Sequence, residues 1–369
     1  MMNARENALA LLNKGTPERI GLYDSLWWEL QQDWRIQGYL VKEDTETGKS
    51  VDVTPEEWFG YDLISVGGWT DNMPVRGYEE VLEETEDWKI TKNGAGAIFK
   101  WWKKKSGTPE HIDFTMTSRE VWEEKYRSLL LKTDDLRLGL DNAKPLFEQW
   151  KDGDRATTIH NPFIWEAFRA SAGDVSMFES FALDPEWIKD FNRVYTDYYK
   201  AHYNRLMEVC GAPDVAYIYE DLGYRNGLFC SPNTLWELYL PYYKELVDFF
   251  HERGVCVILH SCGGIEKALP MIIEAGFDAL NPMEVKAGCD VLRFAEQYGD
   301  KLAFVGGMDV RIFESGDREL IKREVIRLTR EMKAIGVRFF FGSDHSLSPN
   351  VKYEDYKYAL EIYRDNMMY

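Results

Sequence analysis

The chain has 369 residues and a formal charge of −19 from 44 basic and 63 acidic side chains, which makes nucleic acid and anionic membrane surfaces poor partners. Aromatic residues reach 14%, with 13 tryptophans, far above what a disordered chain carries. Five cysteines in so long a chain argue against a disulfide framework and for a reducing, cytoplasmic compartment; no apolar run is long enough to span a bilayer.

In chain order, MMNARENALALLNKG predicts an amphipathic helix and lacks the basic-then-apolar pattern of a signal peptide. Tyr61–Val66 and Ala156–His160 read as short buried strands. Between them, Trp88–Phe114 predicts a β-excursion whose turns fall at Asn93-Gly94 and Ser106–Pro109, with Lys103–Lys105 as a solvated strand end. From Asp184 the chain repeats one phrase: helix, glycine, short apolar strand, polar residues. Asp184-Pro185 and Ser231-Pro232 are helix starts, the second helix running on to Gly254. The strands Val215–Tyr219, Val255–Leu259, Phe277–Leu280, Leu302–Val305 and Val337–Phe341 each end in polar residues. Successive βα units with polar tips always after the strand predict a (β/α)₈ barrel, in which the strand C-termini share one mouth. A doubly wound sheet is disfavoured because no G-x-G-x-x-G opens a helix after a strand. One domain over residues 1–369, with a helical and hairpin elaboration over about residues 1–150, is the simplest division.

The polar tips supply the candidate chemistry: His160, Asn161, Glu220, Asp221, His260, Cys262, Asn281, Glu284, Asp309, Asp344 and His345. His260 and Cys262 are two apart, so they leave an extended strand on the same side. An imidazole and a thiol converging there suit a borderline-soft metal such as zinc. A third ligand from another tip is open between His345, Asp344 and Glu220. Cys256 points into packed interior, and Cys210, Cys230 and Cys289 lie near helix ends without a role. The early tryptophans Trp27, Trp28, Trp58, Trp69, Trp101 and Trp102 read as core or as pocket lining for a flat ligand.

These landmarks resemble the uroporphyrinogen decarboxylase superfamily: Asp221-Leu222-Gly223, Ser231-Pro232, His260-Ser261-Cys262-Gly263, Asn281-Pro282, Gly306–Asp309 and Asp344-His345-Ser346. The resemblance implies a single (β/α)₈ barrel. Its decarboxylase branch implies an arginine-rich early substrate loop, where this chain reads Ile20–Asp24, and a turn matched by Asp344–Ser346. Its corrinoid-dependent methyltransferase branch implies zinc held by the His-x-Cys-Gly pair, here His260 and Cys262, with a further cysteine after the last strand. Here that region holds Asp344 and His345 instead, and the exchange makes the metal a harder Lewis acid.

The expectation is a zinc-dependent methyltransferase moving a methyl group between a small substrate (a methyl ether, methylamine or thiol) and a corrinoid. His260 and Cys262, completed by His345 or Asp344, hold the metal; Glu220 or Asp221 is a fourth ligand or an orienting base, and His345 a catalytic group. No D-x-H-x-x-G corrinoid signature occurs in the chain, so the cobalamin-type cofactor is expected on a partner protein; the surface leaves room for a homodimer. Two alternatives stand beside it. One is a metal-independent decarboxylase of another acid using His345 and Asp344, the other a non-catalytic tetrapyrrole or metal binder.

Overall fold

The computed structural model describes residues 1–45, 48–104 and 107–369. Eight parallel strands form the sheet: β1 Gly21–Leu22, β2 Leu63–Ser65, β3 Ala156–Pro162, β4 Val215–Tyr219, β5 Cys256–His260, β6 Ala279–Asn281, β7 Ala303–Val305 and β8 Phe339–Phe341. Their spatial order is β1-β8-β7-β6-β5-β4-β3-β2. The remaining seam, β1 to β2, is closed through Asp62: its N–H donates to the Leu22 carbonyl (2.8 Å), and its Oδ2 accepts the Leu22 N–H (3.0 Å). Arg19 holds that carboxylate through two nitrogens, at 2.6 and 2.8 Å. The result is a (β/α)₈ barrel.

Burial on both faces explains the apolar strands: β7 and β8 (Ala-Phe-Val and Phe-Phe-Phe) are wholly buried. Strand β1 is the barrel strand that the residue pattern did not reveal. Two residues give no periodicity, and its identity comes from pairing with β8. A glycine is required there, because a Cβ on Gly21 would lie 2.3 Å from the Phe340 ring.

The helices follow their start signals. Pro185–Cys210 begins at Asp184, whose side chain accepts the Trp187 N–H at 3.2 Å. The helix expected from Ser231 to Gly254 is two, Pro232–Leu238 and Leu240–His251. They break at Tyr239, two residues before Pro241, which has no N–H to continue the ladder. Ahead of β3, four antiparallel strands (Glu79–Glu84, Trp88–Asn93, Ala97–Trp102, Glu110–Phe114) form a separate sheet. The excursion expected from Trp88 therefore starts earlier, with an exposed, Glu-rich strand. Lys105 and Ser106, which belong to the expected lysine run and second turn, lie outside the described residues. Among the described residues no helix is long and apolar enough to cross a membrane.

Candidate metal centre at the barrel mouth

Register decides which side chains meet. Tyr219 of β4 is level with His260 of β5, which is level with Asn281 of β6, so all three stand in the last layer of the barrel. Tyr217, one layer below, is level with His160 of β3. Alternation continues this phase past the strand ends: Tyr217, Tyr219 and Asp221 point inward on β4, as His260 and Cys262 do on β5. The outcome is a triad. One ligand atom each from Asp221, His260 and Cys262 lies within 4.8 Å of the others, the one such group of three among the described residues. His260 Nε2 is 3.3 Å from Cys262 Sγ and 3.7 Å from Asp221 Oδ1.

The imidazole is set for ligation by its neighbours. Asn281 donates through Nδ2 to the Val305 carbonyl (2.9 Å), which turns its Oδ1 toward His260 Nδ1 at 2.7 Å. That oxygen can only accept, so Nδ1 carries the proton and Nε2 keeps its lone pair toward the triad. Burial holds His260 below the usual imidazole range and therefore neutral. The Cys262 thiol is pushed up by burial first, then by the negative charges of Asp221 and Glu284. A thiol, an imidazole and several carboxyls in one place disfavour an anion and suit a divalent cation.

The turn after Cys262 is possible only with glycine. Gly263 has φ +85°, and a Cβ there would lie 2.3 Å from the backbone of Gly223. This packs the Gly223–Leu228 hairpin directly on the loop, while Glu284 Oε2 accepts the Gly263 N–H at 2.9 Å and Asp221 Oδ1 accepts the Cys262 N–H at 2.9 Å.

Three expected ligands are placed outside the triad. Glu220, one residue out of phase with Asp221, points away from the mouth and is fully buried. Its carboxylate accepts the N–H groups of Phe163, Trp165 and Glu166 (2.8, 2.8 and 3.2 Å) and the Tyr243 hydroxyl (2.7 Å). It caps the helix Ile164–Leu183, and burial pushes it up to about 8 against those donors. Asp344 is also fully buried; it accepts the N–H groups of Val285 (2.9 Å) and Val310 (2.7 Å) and ties two neighbouring loops together. Neither joins the triad. Asp221, expected as a fourth ligand or a base, supplies its third atom. His345 is outside it too: it stacks on Trp27 with centroids 6.2 Å apart, near enough for a charge there to be felt at His260.

His160 is a wall rather than a ligand. Thr158 donates to the Ile64 carbonyl (3.2 Å), so its oxygen accepts from His160 Nε2 (2.7 Å), and Nδ1 is left to accept from the Tyr219 hydroxyl (2.8 Å). Burial lowers it to about 4. Of the early tryptophans, Trp28, Trp69 and Trp101 are exposed and line no core.

A family model described as uroporphyrinogen decarboxylase (URO-D) matches residues 171–365, more than half of the chain. The chain belongs to the URO-D family. Among solved structures, a methyltransferase from Methanosarcina mazei superposes over 99% of both chains with a TM-score of 0.66 at 12% identity. That likeness is one of fold. An amidohydrolase reaches only a TM-score of 0.28 at 11% identity, over 81% of this chain and 82% of its own, too low to support a comparison. No curated protein matches the chain. The URO-D match covers β4 to β8 and both segments of the triad. What residue types alone missed was the support of His260 by Asn281, whose Oδ1 also accepts the Tyr217 hydroxyl at 2.5 Å, and the choice of Asp221 over Glu220. The alternation phase set by His260 and Cys262, once register joins β4 to β5, carries that signal.

Proposed function

We propose that this URO-D-family protein is a zinc-dependent methyltransferase acting between a small methylated substrate and a corrinoid carried by a partner protein. The observation that carries the reading is the convergence of Asp221, His260 and Cys262 at the C-terminal mouth of the barrel, where this fold places chemistry. Three protein ligands are the complement of a catalytic zinc, which keeps a position for substrate. The donor set fits: a neutral imidazole with its lone pair directed inward, a thiol that ligation would deprotonate, and a carboxylate.

Bound zinc would supply a Lewis acid at which a methylated oxygen, nitrogen or sulfur becomes a better leaving group. Asp221 in place of a second thiolate favours an oxygen or nitrogen over a sulfur substrate. The protein's own part is positioning. Asn281 fixes His260, Gly263 fixes the loop of Cys262, and Tyr219 packs its ring edge-on against His260 at 5.1 Å. His345 is the group we assign to move a proton at the substrate heteroatom, because it stands at the same mouth outside the triad.

Metal analysis of the purified protein tests the reading. Near one zinc per chain is expected, lost in Cys262→Ser and Asp221→Ala; turnover then follows as a change in the cobalt absorption spectrum when methyl donors and a corrinoid are supplied. Well-folded protein that takes up no zinc would overturn it and move the weight to a metal-free reaction.

A further inference from the structure

We propose that the cavity beside the candidate metal centre binds the carboxylate of a small monocarboxylic acid, with Arg35 as its anchor. The proposal deepens the methyltransferase reading, on which it rests for the reaction, by naming the substrate class. A cavity of about 350 Å³ opens at the tip of β1, lined among others by Asp24, Gln31, Arg35, Glu56, His160 and Tyr219. Tyr219 is the wall it shares with the metal centre, since the same ring packs on His260. A ligand in this cavity therefore has one end near the triad and the other against the helix Trp28–Ile36.

Arg35, in the last turn of that helix, has a side chain only 13% exposed. Its ion-pair partner Asp52 is 69% exposed; an Asp52 oxygen comes within 3.2 Å of Nε, off the hydrogen-bond direction. Among the described residues neither Nε nor Nη1 has a hydrogen-bond partner, although both are buried. Trp28 flanks the guanidinium at 5.8 Å. Buried polar groups left in this condition call for an explanation such as a missing ion or ligand. The comparison with Arg338 sharpens the point: that buried arginine also has an unsatisfied nitrogen, but it bonds the carbonyls of Leu11 and Leu12. Arg35, beside its exposed ion pair with Asp52, instead adjoins a cavity with room for a further negative charge, and a guanidinium fork matches a carboxylate.

The other polar residues choose between anions. Asp24 is buried and its oxygens are engaged by the protein: Oδ1 accepts the Ser25 N–H (2.9 Å), and Oδ2 accepts the Ser343 N–H (3.2 Å) and the Tyr356 hydroxyl (3.1 Å). The Ser343 hydroxyl lies 2.5 Å from both Asp24 Oδ1 and the His345 carbonyl. Glu56 is a second carboxyl on the wall. Two carboxyls tolerate a single negative charge opposite them far better than two, which favours a carboxylate over a phosphate.

Calorimetric titration tests this with acetate, propionate and benzoate, their primary amides, and inorganic phosphate. At least one carboxylate should bind about tenfold tighter than its amide, the scale of one charge-assisted contact, and tighter than phosphate. Arg35→Gln should abolish that preference, Arg35→Lys should keep part of it, and Cys262→Ser should leave it intact. Equal binding of acid and amide, no carboxylate binding, tighter phosphate binding, or a preference that survives Arg35→Gln in protein of unchanged melting temperature would overturn it. Because Cys262→Ser is read in the same assay, loss of the metal reading and loss of the anion site are separate results.

Discussion

The tips of β4 and β5 and the tip of β8 carry nearly the same residue types, Asp221 with His260 in one place and Asp344-His345 in the other. Only the first pair converges. Asp344 has two backbone N–H groups on its oxygens and is fully buried, so its charge is already used to tie loops. Asp221 accepts a single N–H, from Cys262, and its side chain is 40% exposed. The lesson is one of hydrogen-bond occupancy: a carboxylate at a barrel mouth is available for chemistry when the backbone has not already engaged it. Glu220 and Asp221 repeat the contrast at neighbouring positions, one facing a helix N-terminus and one facing the mouth.

The contrast can be broken, starting with the largest effect. Glu220→Ala strands three backbone N–H groups and a tyrosine hydroxyl in the core, and should cost more than about 3 kcal/mol, read by chemical denaturation. Asp221→Ala should change stability by less than about 1 kcal/mol while removing the zinc. Equal destabilisation of the two would erase the distinction. Asp344→Ala should lie between, destabilising by about 1–3 kcal/mol through its two orphaned donors, with zinc content per folded chain retained.

Asn281→Leu sharpens the view of the triad. It removes the acceptor that directs His260 Nδ1–H, so zinc affinity should fall about 10–100-fold, measured by competition with a chelator; unchanged affinity would show that ring orientation is set elsewhere.

A further prediction concerns pH. Burial pushes Asp24 up to about 7, so between its unfolded value near 4 and pH 7 the folded state holds a proton that the unfolded chain releases. Its stabilising contribution is complete below about pH 4 and declines as pH rises through about 7. Asp24→Asn, which mimics the protonated acid, should flatten the fall in melting temperature across that window. A wild-type curve no steeper than the variant's would show that Asp24 is ionised throughout.

Much of the barrel was legible residue by residue. Asp184-Pro185 and Ser231-Pro232 announce helices through local hydrogen bonding, and runs such as Val215–Tyr219 announce buried strands through β-branching and apolar content. Strand β1 was not legible, because two residues show no period and only the Phe340 neighbour makes Gly21 a strand residue. The break at Tyr239 was missed because apolar spacing runs unchanged through it.

In the site, the pairing of His260 with Cys262 is a property of the sequence alone, since two-residue spacing on a strand fixes their common side. The third partner is not. Asp221, Glu220, Asp344 and His345 are equivalent as residue types at strand tips. Which of them reaches the triad depends on the register of β4 against β5, and on which backbone donors the folded chain brings to each carboxylate. Those are distances between segments remote in sequence, so only the tertiary structure could decide them.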